Sequence, residues 1–410
     1  MYFSFQLLAT VILLGIQIYF YRIASSAVSG IHSRGWLLAV RILFLLMSAG
    51  LIPVLLFRST FSHPPSWLVY GAMFPFYLWH FVSFFLFLLA MVRMIIWMPV
   101  VVVRYLLHRI PESHEVLTNI TDNPRFVKFD SRRRQFMRYS GAVIAGATIS
   151  ASAYGALRRN EYEITRMEVP IRNLPDEFLN TTITLISDIH SSIFMTKDQM
   201  DRYADVVNEL QSEMIVVDGD FVNSMVEEVY PFAEAFSTLR APMGVFGVLG
   251  NHDYYTRDVE TVARNVNSCG IRLLRNSSVI LRKSKSSVLL SGIDDVGSGM
   301  SAAREIDMSL QDQPAGLTTI LLCHRPYFFR QAAERNIDLV LSGHTHGGQI
   351  VFMKTASGVI APARMASPYV AGMYTRGTSQ MYVSRGIGTV AIPVRINCPP
   401  EVTKFTLVRA

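Results

Sequence analysis

The chain has 410 residues, of which 50% are hydrophobic and 17% charged, with 38 Lys and Arg against 31 Asp and Glu. Roughly 100–200 residues make a domain, so this length holds two or three units. Charge this sparse, with a mean hydropathy of +0.30, excludes a disordered or fibrous chain and argues against an ordinary cytosolic enzyme.

The net charge of +7 is unevenly placed. Residues 1–107 contain no Asp, Glu or Lys and six arginines: Arg22, Arg34, Arg41, Arg58, Arg93 and Arg104. The remainder carries 32 basic and 31 acidic side chains, a net of +1. The basic balance therefore belongs to an apolar third of the chain. It gives no support to nucleic-acid binding, which needs Lys and Arg clustered on a folded face. Cys269, Cys323 and Cys398 are too few and too far apart for a disulfide framework or a CxxC zinc site.

A bilayer core takes about 20 apolar residues as a helix. Three segments meet that length: Tyr2 to Phe20, Trp36 to Phe57 and Trp67 to Val92. They are apolar all round, which separates them from buried helices of a soluble protein. Met94 to Leu107, with Pro99 inside it, either continues the third helix past a kink or lies along the interface. His80 and Arg93 have no acidic partner in these residues and read as an interfacial His and a snorkelling Arg.

Residues 104–138 are basic, with Arg109, Arg125, Lys128, Arg132, Arg133, Arg134 and Arg138 against Glu112, Glu115, Asp122 and Asp130. The positive-inside rule makes this linker cytoplasmic and the N-terminus external, with Arg22 and Arg34 inside and Arg58 outside. Ser131-Arg-Arg-Arg-Gln-Phe-Met-Arg138 precedes the weakly apolar stretch Tyr139 to Leu157 and resembles a twin-arginine export signal, here following three spans. An ordinary fourth helix with a basic flank has the same consequence, a C-terminal part on the outer face. A peripheral helix that never crosses would leave that part in the cytoplasm. The expected organisation is a transmembrane region at 1–107, a linker with signal-anchor or fourth helix at 108–157, and a catalytic domain at 158–410.

After Arg159 short β-branched runs alternate with helical patterns, as in a soluble α/β domain. Five such runs end in polar clusters. Ile183 to Ser187 leads into Asp188-Ile-His190, and Met214 to Val217 into Asp218-Gly-Asp220. Val245 to Leu249 leads into Gly250-Asn-His-Asp253, Thr318 to Leu322 into Cys323-His324, and Ile337 to Leu341 into Ser342-Gly-His344-Thr-His346. One such end means little. Five in order place Asp, Asn and His at the strand ends that form the ligand crevice of open α/β sheets. Their mixed N and O donors suit Zn, Mn or Fe. Asp188 and His190 are two apart, as are His344 and His346, so in an extended segment each pair points one way.

This order of motifs resembles the calcineurin-like metallophosphoesterase family, whose pattern runs DxH, GD, GNHD, a lone His and GHxH, here over roughly residues 181–405. Downstream, Tyr382-Val-Ser-Arg-Gly-Ile-Gly388 and Asn397-Cys-Pro-Pro-Glu401 look like its membrane-associated branch, which includes twin-arginine-exported phosphodiesterases and UDP-2,3-diacylglucosamine hydrolase-like proteins. The resemblance implies an α/β/β/α sandwich of two mixed sheets after the all-α transmembrane region. It implies one metal on Asp188, His190 and His346, another on Asn251, His324 and His344, and Asp220 bridging them. His252 would be general acid or charge stabiliser, with Asp253 its orienting partner. The sequence departs from the family at Asn223, where many members carry an aspartate.

The chemistry agrees. Enzymes speed phosphoester hydrolysis by up to about 10²¹-fold, and two divalent ions about 3.5–4 Å apart supply hydroxide and clamp phosphoryl oxygens. The expected function is hydrolysis of phosphoester, phosphodiester or pyrophosphate bonds in a small molecule or lipid at the bilayer. Two rivals remain: a cytoplasmic-face UDP-2,3-diacylglucosamine hydrolase and a non-catalytic metal-binding scaffold. Cys323 reads as strand core, Asp294-Asp295 as a turn, and Arg325 and Arg385 as either phosphate contacts or structural pairs.

Overall fold

The structure is a computed structural model that describes residues 2–29, 34–56, 64–110, 119, 123–295, 299–355 and 358–410. Arg58, Glu112, Glu115 and Asp122 lie outside the described residues. The chain divides into two compact units: Met1–Arg58 with Tyr70–Tyr154, and Ser59–Val69 with Gly155–Ala410.

In the first unit, four helical stretches are long and apolar enough to cross a bilayer: Leu7–Ser29, Arg34–Pro53, Val69–Leu107 and Pro124–Leu157. Large apolar side chains stand exposed along them, among them Val11, Leu45, Trp36, Ile96 and Val101. Side chains of this kind belong in lipid, so the unit is a membrane-associated helical assembly. Phe74–Leu107 is one helix with Pro99 inside it, so Met94 to Leu107 continues the third helix. Buried Gln17 accepts from Trp79 Nε1 at 2.8 Å, a polar link between helices where water is absent. His80 is buried among the helices, with Nδ1 2.9 Å from the Phe76 carbonyl. The arginine-rich run falls inside the helix Pro124–Leu157, where Arg133 and Arg134 both reach Asp130.

The second unit holds two mixed six-stranded sheets. The first contains β1 (Glu163–Ile171), β2 (Thr182–Ser187), β3 (Met214–Asp218), β4 (Val245–Val248), β5 (Arg272–Leu273) and β14 (Glu401–Arg409), in the order β1-β14-β2-β3-β4-β5. The second contains β6 (Ser277–Lys283), β7 (Ser286–Gly292), β8 (Thr319–Leu322), β9 (Leu339–Ser342), β12 (Gly372–Arg376) and β13 (Ser379–Val383), in the order β12-β13-β9-β8-β7-β6. Two further strands, β10 (Met353–Thr355) and β11 (Gly358–Ile360), form a separate hairpin.

Side-chain alternation explains the layering. In β3, Met214 and Val216 face one core while Ile215 and Val217 face another. The first core lies between the sheets, where Leu185, Val248 and Phe405 meet Leu290, Leu322 and Leu341. The second packs Val217 against Met200 and Val207 of the helix Lys197–Glu209 and against Phe232 and Phe236 of the helix Val229–Phe236. On the far side, Leu321 and Val340 pack on Ala302, Ile306, Phe329 and Ala332. Four layers result, α/β/β/α, as expected. Strands buried on both faces read as continuous apolar runs.

β2, β3 and β4 are parallel neighbours, with Ser187 beside Asp218 and Asp218 beside Val248. β8 and β9 are also parallel, with Leu322 beside Leu341. The carboxyl ends in each sheet are therefore level. Phe405 lies fully buried between the sheets, its ring 5.0 Å from that of Tyr382. Replacing it with alanine is expected to cost about 3–5 kcal/mol. Denaturant unfolding of the second unit, followed by amide exchange in β2 and β14, measures that loss.

Candidate metal centre

The strand ends bring two groups of side chains together. Ligating atoms of Asp188, His190, Asp220 and His346 all lie within 4.8 Å of one another, as do those of Asp220, His324 and His344. Asp220 belongs to both. Asn251 opens the short helix Asn251–Tyr255 at the end of β4, and its Oδ1 is buried without a hydrogen-bond partner.

Convergence does not come from strand alternation. Asp188 (φ 51°), His190 (φ 49°), Asp220 (φ 53°), His344 (φ 72°) and His346 (φ 52°) all adopt left-handed backbone. Such conformations cost of order 1–3 kcal/mol each and persist where surrounding structure holds them. Each turns the chain sharply just past its strand. The turns also need close backbone approach: a Cβ on Gly250 would lie 2.3 Å from Asp220 Oδ1, and one on Gly343 2.4 Å from Asp188 Oδ2.

Hydrogen bonds aim the groups. Asp188 accepts from the His344 amide at 2.8 Å and from Ser187 Oγ at 2.6 Å. Asp220 Oδ1 accepts from the His252 amide at 2.8 Å. His324 Nδ1 is 2.9 Å from the Asp218 carbonyl and donates to it, which turns Nε2 to within 3.2 Å of Asp220 Oδ2. His190 Nε2 and His346 Nε2 stand 3.0 Å apart, the first 3.4 Å from Asp220 Oδ2 and the second 3.5 Å from Asp188 Oδ1.

This arrangement fits a cation. Burial pushes His190 down to about 3 and His346 well below the ordinary imidazole range, so both are neutral with lone pairs to offer. Burial, with His324 nearby, pushes His344 down to about 3 as well. Burial opposes ionising Asp220, but the neighbouring imidazoles, His324 first, hold its carboxyl well below the usual range. Asp188, Asp218, Asp220 and Asp253 are all fully buried, and among the described residues no lysine or arginine pairs with the first three. Buried carboxyls that no described lysine or arginine pairs with call for a metal. The imidazole and oxygen donors suit a borderline divalent ion.

Asp253 departs from its expected place. Its carboxylate accepts from the Gly250 and Val222 amides at 2.8 and 3.2 Å, tying two loops together, and does not orient His252. The Asn223 carbonyl does so, at 2.5 Å from His252 Nδ1. The departure from the family pattern at Asn223 thus falls on a residue that serves this ring through its backbone. Buried Glu228 holds that loop, its Oε2 accepting from the Asn223, Ser224 and Met225 amides at 2.9, 2.7 and 3.0 Å.

Arg325 is clamped bidentately by Asp295, and Arg385 by Glu401 and Glu163, so both are structural pairs. Asp294 likewise holds Arg275. Cys323 is buried in the outer core of the second sheet, and burial raises its thiol. Asp218, pushed up to about 8 by burial, has neither carboxylate oxygen hydrogen-bonded.

Arg395 carries a role that its sequence context does not reveal beyond a lone cation in an apolar run. It is buried, with no acidic partner among the described residues, and donates to the carbonyls of Arg385, Gly386, Gly388, His346 and Cys398. Gly388 in turn donates to the Asp188 carbonyl at 2.8 Å. The Cys398 thiol donates to the His346 carbonyl at 3.2 Å. One guanidinium thus braces the loops behind Asp188 and His346. Arg395→Met would leave these carbonyls unmatched, at about 1–3 kcal/mol for each that stays buried. The expected outcome is a lower unfolding temperature and faster reaction of Cys398 with a thiol reagent in the native state. Arg395→Lys should be intermediate.

Comparison with known proteins follows this geometry. The family model for calcineurin-like phosphoesterases matches residues 181–348. A Danio rerio transmembrane protein with metallophosphoesterase domain is 33% identical over 258 residues, covering 60% of this chain and 58% of that protein. The chain thus spans little more than half of that relative. The uncharacterized metallophosphoesterase YkuE of Bacillus subtilis is 30% identical over 284 residues, 67% of this chain and 97% of its own length. Phosphodiesterase YaeI of Escherichia coli is 27% identical over 282 residues, 67% of this chain and 99% of its own. With its motifs in order on two mixed sheets and a relative matched over nearly its whole length, the chain belongs to the calcineurin-like phosphoesterase family.

Proposed function

We propose that the chain is a membrane-anchored, dimetal hydrolase of phosphoester, phosphodiester or pyrophosphate bonds. The observation that carries this reading is the position of Asp220 in both ligand groups. One ion would be held by Asp188, His190 and His346, the other by Asn251, His324 and His344, with Asp220 between them. When bound, two divalent ions (Mn, Zn or Fe) supply hydroxide at neutral pH and neutralise charge on the phosphoryl oxygens.

The protein's own groups do the rest. Neutral imidazoles and an amide keep the site from becoming too negative for an anionic ester. As a water oxygen bonds to phosphorus and the bond to the leaving oxygen breaks, that oxygen needs a proton or a positive charge. His252 donates Nδ1–H to the Asn223 carbonyl, which leaves Nε2 to meet the leaving group. The ring stands edge-on to His190, with centroids 4.5 Å apart, so it sits against the ligand cluster.

The name of the YaeI relative favours a diester as substrate. The apolar helices favour a substrate carried by the bilayer, and the basic linker favours a catalytic unit on the outer face. The test uses the full chain in detergent with Mn²⁺, Zn²⁺ or Fe²⁺. It compares monoesters, diesters and nucleotide-sugar lipids, with metal content measured by elemental analysis. Asp220→Asn should lower metal content and cut turnover roughly a thousandfold, the several kcal/mol that metal stabilisation supplies. His252→Ala should slow turnover roughly 10²–10⁴-fold with metal content intact. Chelation should lower the unfolding temperature of the wild type, since ligand binding at 100–1,000 times Kd is worth about 3–4 kcal/mol. An inert protein under all three ions, or a fully active Asp220→Asn variant, overturns the assignment.

A further inference from the structure

From Leu339 to Pro400 the chain has no Asp or Glu and five basic residues: Lys354, Arg364, Arg376, Arg385 and Arg395. Arg385 and Arg395 are committed inside the fold, as described above. Lys354, Arg364 and Arg376 are exposed, and no carboxylate pairs with them among the described residues. Among the described residues the Arg364 guanidinium donates to the Pro368 carbonyl, at 3.1 Å.

Large apolar side chains stand beside Lys354 and Arg364 in the chain, whereas Arg376 ends β12 opposite Ser379, at the other end of its sheet. Phe352 is 57% exposed, Met353 58%, Ile360 51% and Met365 94%. Met353 and Ile360 face each other across the β10–β11 hairpin, where Lys354 pairs with Val359. A two-stranded hairpin is marginal by itself in water. Its base is fixed by Val351, Ala361 and Cys398, which form a small core of their own. Ala361 also lies against Gly348, two residues past His346. A recess of about 330 Å³ runs along the hairpin, with the Arg364 guanidinium as the one charge in its wall.

We propose that this hairpin and the Arg364–Met365 turn dock on an anionic phospholipid surface. Phe352, Met353, Ile360 and Met365 enter the headgroup–acyl boundary, and Lys354 and Arg364 meet lipid phosphates. Exposed apolar side chains interleaved with unpaired cations are the composition that partitions to such an interface. A bilayer also lies within reach of a unit whose first strand begins at Glu163, six residues after the helix Pro124–Leu157 ends. Docking sets the edge carrying His344 and His346 at headgroup level, where a lipid-borne phosphoester presents its reactive bond. This deepens the proposed function and rests on it only for the substrate, not for the docking itself.

The test places the full chain in lipid nanodiscs, neutral or enriched in phosphatidylglycerol. Single cysteines at Met353, Ile360 and Met365, in a Cys269→Ser background, carry an environment-sensitive fluorophore, with Tyr230→Cys as an exposed control outside the patch. Expected in anionic discs are blue-shifted emission and quenching by spin-labelled lipid at the three patch positions and neither at Tyr230. Neutralising Lys354 or Arg364 should lower the docked-to-free ratio roughly fivefold. Patch labels that stay water-exposed in anionic discs overturn the proposal. So does shielding that is independent of lipid charge and grows with protein concentration, which would mean that a second copy covers the face. Hydrolysis of a monoester, a diester, a pyrophosphate and a nucleotide-sugar lipid is read in parallel. Docking without hydrolysis upholds this inference and sinks the proposed reaction; hydrolysis without docking does the reverse.

Discussion

The constraint on which the catalytic unit depends is the burial of Asp220 against imidazole nitrogens, among carboxyls that no lysine or arginine of the described residues neutralises. In water these groups would separate or take up protons. Inside the fold they are held 3–4 Å apart by backbone hydrogen bonds, and a positive ion is the simplest way to satisfy them. The buried Oδ1 of Asn251, which lacks a partner, points to the same requirement.

Everything around the cluster serves to hold that geometry against its own repulsion. Level strand ends in two sheets deliver the residues, and left-handed turns fold them inward. Glycines at 250 and 343 allow backbone to approach the carboxylates. Behind this, Glu228 fixes the loop that aims His252, and Arg395 ties the C-terminal loops to Asp188 and His346. These two buried charges reach none of the candidate ligand side chains, only backbone beside or within them, yet the orientation of several ligands passes through them. The strain stored at the turns is offset by a core that runs between the sheets and over both outer faces.

The surface reads with the same physics. Apolar side chains that face outward along the N-terminal helices need lipid. The β10–β11 hairpin is a smaller instance, in which apolar groups are mixed with cations and so match an interface better than a bilayer interior. Its base packs on the turn that follows His346.

Much was legible in the sequence. Apolar runs too long and too uncharged for a soluble core marked the helical unit. Runs ending in Asp, Asn or His marked β2, β3, β4, β8 and β9, because strands buried on both faces are continuously apolar and their polar ends stand out. Family resemblance added the two mixed sheets. The tertiary structure decided what no local pattern encodes. Asp188 and His190 converge through left-handed turns and not through alternation, since neighbours across the sheet dictate φ. His252 answers to the Asn223 carbonyl and not to Asp253, because backbone acceptors leave no mark on residue identity. Arg395 looks in sequence like a stray cation. Only when five carbonyls from distant segments meet around it does its charge acquire a purpose, and such long-range convergence is set by packing, which a linear pattern does not contain.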